Sequence, residues 1–208
     1  IPTSLVSVLT HKKNKFVDLN IIKNYGLFVI IGVLLGTVFA ALMQTKSLVL
    51  FFSVVVYFLG TYLLLNSNKV QKAKKKFELL PRLFFGFVSG FVSAPMGIGG
   101  AVMNVPVLRY FFYSIKKAIG SAAAIGFIIA LFGAIGFLIS GSFLKANLPL
   151  SIGFINIPAF LIFVPITTFM ARVGANSVNK IDKSKVQSLF GVFLYVVGTI
   201  FIYRYLSL

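Results

Sequence analysis

Residues 93–106 read SAPMGIGGAVMNVP. Within this stretch Pro95 and Pro106 flank a cluster of Gly97, Gly99 and Gly100, and Ser93 and Asn104 stand close on either side. Glycine and proline both weaken a helix. A helix that restarts near Gly100 presents first-turn N–H groups with no intrahelical partner, at the positive end of the helix dipole. Such an end binds anions. Glycine lets a ligand approach the backbone without meeting a Cβ. Asn104, one turn in, can donate a hydrogen bond, and Ser93 and Ser121 offer hydroxyls. The candidate substrate-binding set is therefore Ser93, Gly97, Ile98, Gly99, Gly100, Asn104 and Ser121, and the ligand it suits is a small anion. The cluster is neither a dinucleotide fingerprint nor a P-loop, because no strand precedes it and no Gly-Lys-Ser/Thr follows.

The elements around this stretch are apolar. Hydrophobic residues make up 59% of the chain and charged residues 11%, which excludes an ordinary soluble domain. Five runs, near 24–43, 47–66, 118–140, 151–171 and 186–205, are long enough to cross about 30 Å of hydrocarbon as helices. They lack the alternation of barrel strands. None has an ionisable residue in its middle, so no metal set, paired acids or catalytic base stands at membrane depth, and a membrane enzyme is the least favoured reading. No cofactor site is read. With no cysteine, disulfides and thiolate chemistry are absent. The net charge of +17 belongs to lysine-rich loops facing anionic lipid, not to a nucleic-acid partner. Gly86 and Gly90 have the GxxxG spacing of close helix packing. Pro158 and Pro165 read as kinks, with gating the sharper alternative. His11 reads as solvated, and Asp18, Glu78 and Asp182 as ordinary loop acids.

An internal repeat organises the spans. VVVYFLGTYLLL at 54–65 resembles VFLYVVGTIFIY at 192–203, so that Tyr57, Gly60 and Thr61 pair with Tyr195, Gly198 and Thr199 at one offset. Lysine and arginine counts then set the sidedness. If 83–112 enters and returns on one face, the segments 11–23, 67–82, 107–117 and 172–185 carry four, six, three and four positive charges inside, while 44–46 and 141–150 carry one each outside. A single crossing there breaks the positive-inside rule, and 30 residues are too few for two crossings of about 20. The halves are then inverted with respect to each other, an arrangement that places a transporter's site near the midplane. The expected fold is all-α: a polytopic helical membrane protein of two inverted repeats, each of three spans plus a broken, re-entrant helix pair. Residues 1–66 form the remainder of the first repeat, 67–82 a basic cytoplasmic loop, and 83–208 the complete second repeat with its broken pair at 83–112. The first half's own glycine-rich stretch would precede Ile1, so the first repeat reads as incomplete.

GFVSGFVSAPMGIGGAVMNVPVL followed by KKAIGSAAA resembles the second-half motif of the sulfite exporter TauE/SafE family of membrane transporters. Gly97-Ile98-Gly99-Gly100 matches its core, Val105-Pro106 its Val-Pro, and Gly120-Ser121 the pair opening the next helix. Ala101 and Gly120 depart from it, where a third glycine and a threonine are usual. TSLVSVLTHKKNKFVDL at 3–19 resembles the end of the first repeat's second helix. The resemblance implies transport of sulfite or related sulfur oxyanions or organosulfonates across an inner cell membrane. Its implied partners are the small anionic substrate and membrane lipid, with room for a homo-oligomer. The alternative is a non-transporting assembly subunit. Sidedness is directly testable in this cysteine-free chain: Lys74→Cys and Lys145→Cys are expected to label from opposite faces of the membrane, and labelling from one face refutes the inversion.

Overall fold

In a computed structural model the chain is described at residues 1–65, 78–97, 100–111, 113–144, 149–177 and 183–207. Eight helices occur among these residues: α1 (Pro2–Lys13), α2 (Leu19–Leu42), α3 (Thr45–Leu65), α4 (Leu79–Met96), α5 (Ala101–Tyr110), α6 (Ile115–Phe143), α7 (Ile157–Ser177) and α8 (Lys183–Ser207). Two two-residue strands, β1 (Ser151–Ile152) and β2 (Ile155–Asn156), pair antiparallel between α6 and α7. Six helices, α2, α3, α4, α6, α7 and α8, are long and apolar enough to cross a membrane. The chain is a polytopic all-α membrane protein. Loop 67–82 lies outside the described residues except for its end, from Glu78.

Two expected boundaries move. α4 begins at Leu79 and runs 18 residues, longer than a half-helix opening at residue 83. The span expected at 151–171 starts six residues later, because Gly153, with φ of 57°, turns residues 151–156 into a hairpin against α6. Asn156 then accepts from the Ala159 N–H at 2.9 Å and caps α7. Pro158 consequently sits in the first turn, where proline is tolerated, and Pro165 alone is interior.

The chain divides into two compact units. The first holds α1, α2 and α4 to α7. Its core is Ile21, Tyr25, Val29 and Val33 of α2 packed with Ala94, Leu108, Ala118, Ala122, Ile125 and Ile129. α2 and α4 lie side by side with backbones in contact. A Cβ on Gly32 would strike the Phe87 carbonyl, one on Gly90 the Val29 carbonyl, and one on Gly86 Phe28. Small residues let helices approach this closely, and in lipid such packing drives association because burial from water does not. The contact runs from Gly32 beside Phe87 to Gly36 beside Phe91, so the two helices are parallel. α6 also runs alongside α2 in the same sense, with Gly26 beside Ile128, Gly133 beside Val33 and Gly136 against Thr37.

The second unit is the pair α3 and α8. Contacts run from Phe52 with Phe201 to Gly191 with Leu64, so these helices are antiparallel. The repeated residues meet one another at the centre. Thr61 and Thr199 each donate to the carbonyl four residues back. Their single hydroxyl protons are thereby used, so Tyr57 donates to Thr199 at 2.8 Å and Tyr195 to Thr61 at 2.6 Å. The two tyrosine rings lie edge to face at 5.2 Å. Gly60 makes room for the Tyr195 ring and Gly198 for the Tyr57 ring. Exchanging 57, 60 and 61 for 195, 198 and 199 reproduces the same contacts, a local two-fold axis perpendicular to the helices.

The glycine contacts generate a paired test. Gly90→Ala is expected to lower stability by about 1–3 kcal/mol through overpacking. Gly174→Ala, whose added Cβ meets nothing within 4 Å, is expected to be neutral or stabilising by about 0.5–1 kcal/mol. Thermal unfolding followed in detergent distinguishes them; equal effects contradict the backbone contact.

Candidate functional site

α4 and α5 form an antiparallel hairpin around the glycine break. Ser89 bonds to Asn104, and the Phe85 ring meets Phe111 at 6.0 Å, so the chain comes back along α4 after turning. Gly97 ends α4 in the left-handed conformation, with φ of 60°, and its N–H reaches the Ala94 carbonyl at 3.4 Å. A glycine just past the last helical residue is the ordinary way to stop a helix. Pro95, in the last turn of α4, cannot continue the ladder. Ile98 and Gly99 lie outside the described residues. Gly100 is the N-cap of α5 and carries no side-chain cap, so nothing on its own side chain answers the first-turn amides. Pro106 lies inside α5.

Asn104 is fully buried. Its Oδ1 accepts from the Tyr25 hydroxyl at 2.7 Å and from Ser89 at 3.0 Å, and its Nδ2 donates to the Gly100 carbonyl at 2.6 Å. Both acceptor sites and one of two amide protons are used. Asn104 thus ties α2, α4 and the start of α5 together at the break. Ser93 is also buried, on α4 one turn before the break.

α6 packs on α5 through two glycines. A Cβ on Gly126 would lie 3.3 Å from the Gly100 nitrogen, and a Cβ on Gly100 would meet Ile129 at 2.7 Å. The backbone at Gly100 is therefore faced by a helix surface from which the side chain is missing.

Ser121 is placed elsewhere. Its Oγ accepts the Asp18 N–H at 3.0 Å, which fastens the α1–α2 link to the start of α6. Asp18 also accepts from the Asn20 N–H at 3.1 Å and pairs with Lys117 at 3.5 Å. Gly120 lies against the Phe16 carbonyl, where any Cβ collides; this is a physical reason for glycine where threonine is usual. Tyr113, where the hairpin's return meets α6, has its hydroxyl proton affinity raised first by burial and then by the Asp18 carboxylate, with Arg82 working against both. His11 is a correction to the sequence reading. α1 extends through it to Lys13, and its side chain is only 3% exposed.

Tyr25, Ser89 and Gly126 were not singled out from the sequence. Tyr25 sits in an ordinary apolar run, and its partner is 79 residues away. Gly32 and Gly36 did carry a signal, the same GxxxG spacing as Gly86 and Gly90.

Six helices long and apolar enough to cross a membrane, with a helix hairpin that turns between Gly97 and Gly100, define the class: a multi-pass helical membrane protein. Residues 1–201 match the family described as Sulfite exporter TauE/SafE, and the chain belongs to that family. It is 32% identical over 147 residues to a "Probable membrane transporter protein" of Haemophilus influenzae, covering 71% of this chain and 56% of that protein. It is 24% identical over 131 residues to a protein of the same description from Methanocaldococcus jannaschii, covering 63% and 47%. The chain thus spans about half the length of the curated relatives it matches. No solved structure matches it.

The Asn104 network generates a double-mutant test. Asn104→Ala removes three buried hydrogen bonds at once, from the Tyr25 and Ser89 hydroxyls and to the Gly100 carbonyl, and about 1–3 kcal/mol is expected. Tyr25→Phe removes a donor and leaves no orphan on α2, so about 1 kcal/mol is expected. Combined, the two substitutions should cost less than their sum, because they share one bond. Strict additivity in unfolding measurements contradicts the network.

Proposed function

We propose that the protein is a transporter of small anions, sulfite or related sulfur oxyanions and organosulfonates, in an inner cell membrane, and that the anion is held by backbone amides at the start of α5. The observation that carries this reading is the uncapped Gly100 terminus facing Gly126, where an added Cβ would stand 3.3 Å from the Gly100 nitrogen. First-turn N–H groups at such an end attract negative charge without any basic side chain. Asn104 supports the site by holding Gly100 in place through its Nδ2 bond to the Gly100 carbonyl. Membership of a family described as sulfite exporters supports the substrate class. The antiparallel Tyr–Thr pairing of α3 with α8 is what an inverted repeat requires of these two spans, and inverted repeats with broken helices place substrate near the midplane.

The test is sulfite and sulfonate flux in proteoliposomes with the full-length protein. Gly126→Ala favours the helix yet covers the Gly100 N–H. If it removes one donor to a charged ligand, binding weakens by about 1.5–3 kcal/mol, roughly ten- to a hundredfold. Gly99→Val is expected to abolish flux at normal membrane level. Normal flux in both variants makes the break purely structural. No flux in the wild type favours the assembly-subunit reading.

A further inference from the structure

We propose that His11 is the proton-binding group through which anion transport is coupled to a proton gradient. The inference rests on the transport reading above and adds what drives it. His11 is the one histidine of the sequence. It is buried to 3% exposure at the end of α1, a helix that packs against both α6 and α7. Its Nδ1 is buried and has no hydrogen-bond partner among the described residues. A buried polar atom without a partner is costly and calls for an explanation. An imidazole kept neutral with an unused nitrogen has the capacity to take a proton when its surroundings change.

The charged groups of the elements packed around it are mostly basic. Lys12 and Lys13 share its helix, and Lys15 lies in the link that follows. α6 contributes Lys116 and Lys117, α7 contributes Arg172, and the nearby carboxylate is Asp18, itself paired with Lys117. Tyr113 stands at the same end of α6. His11 lies beyond the apolar spans, and burial lowers its proton affinity below the ordinary imidazole value. The sign follows: above about pH 6.5 the ring is neutral in folded and unfolded chains alike. As pH falls through that value the unfolded chain gains the proton first, so stability declines toward acid unless something offsets the buried charge.

A bound anion is that offset, and the structure provides the connection. The His11 carbonyl accepts the Phe16 N–H at 3.0 Å, and the two rings are 6.3 Å apart. Phe16 in turn rests its carbonyl on Gly120 and its ring beneath the Lys116 ammonium at 5.6 Å. Gly126, at the proposed anion site, is six residues further along the same helix, about 9 Å at 1.5 Å per residue. An anion there favours the imidazolium, and by reciprocity the proton raises anion affinity by the same factor. Proton and anion therefore travel in the same direction.

The experiment uses full-length protein in proteoliposomes and a simple alkanesulfonate, which carries no proton of its own near neutral pH. An inside-alkaline gradient is expected to raise initial uptake at least threefold in the wild type. His11→Asn and His11→Gln, whose amides stand in for the two ring nitrogens, should keep downhill flux and lose the response to the gradient; membrane level and monodispersity control for folding. A gradient response retained in both variants, or absent from the wild type, overturns the proposal. If the wild type moves neither sulfonate nor sulfite, the substrate reading fails by itself. The proton site is then decided by the His11 ring resonances, identified as those lost in the variants: a ring that titrates between pH 8 and 5 in the folded protein upholds it, and one that stays neutral overturns it.

Discussion

The side-chain amide of Asn104 is the constraint on which the broken hairpin depends. Interrupting a helix inside an apolar environment exposes backbone groups that have no water to turn to. Asn104 answers the Gly100 carbonyl with Nδ2 and spends Oδ1 on hydroxyls from α2 and α4. One residue thereby ties the middle of α4, the start of α5 and the neighbouring α2 together. Three hydrogen bonds converge on this one side chain, which makes the junction a connected network and not a set of independent contacts.

Glycine does two separate jobs around that junction. At Gly97 it supplies a left-handed backbone that side chains resist. At Gly90 and Gly120 the dihedrals are unremarkable, and the vacant Cβ position is what counts, because a carbonyl of another segment occupies it. α6 uses both Gly120 and Gly126 as seats, one for the α1–α2 link and one for the start of α5. It packs against both the α1–α2 link and the start of α5. Ser121 belongs to the former, its hydroxyl accepting the Asp18 N–H.

The second unit shows the repeat as a physical object. A tyrosine, a glycine and a threonine from each copy interlock, each tyrosine donating to the threonine of the other copy across the space the opposite glycine opens. Two segments that share this pattern and pack antiparallel must be self-complementary, and this set satisfies that condition.

Sequence alone determined the spans, the break and the repeat, because hydropathy, glycine and proline act locally and need no partner to be legible. The runs at 24–43, 47–66, 118–140 and 186–205 became α2, α3, α6 and α8 within a few residues at each end, and the five residues from 93 to 97 already contained the stop signal of α4. What a side chain is used for was decided only by tertiary contact. Ser121 is held by Asp18, 103 residues earlier, and Tyr25 by Asn104, 79 residues later. His11 reads as solvated among lysines until α6 and α7 close over the end of α1. Burial and hydrogen-bond partnership are properties of two surfaces meeting, and neither surface carries the other's address in its own local sequence.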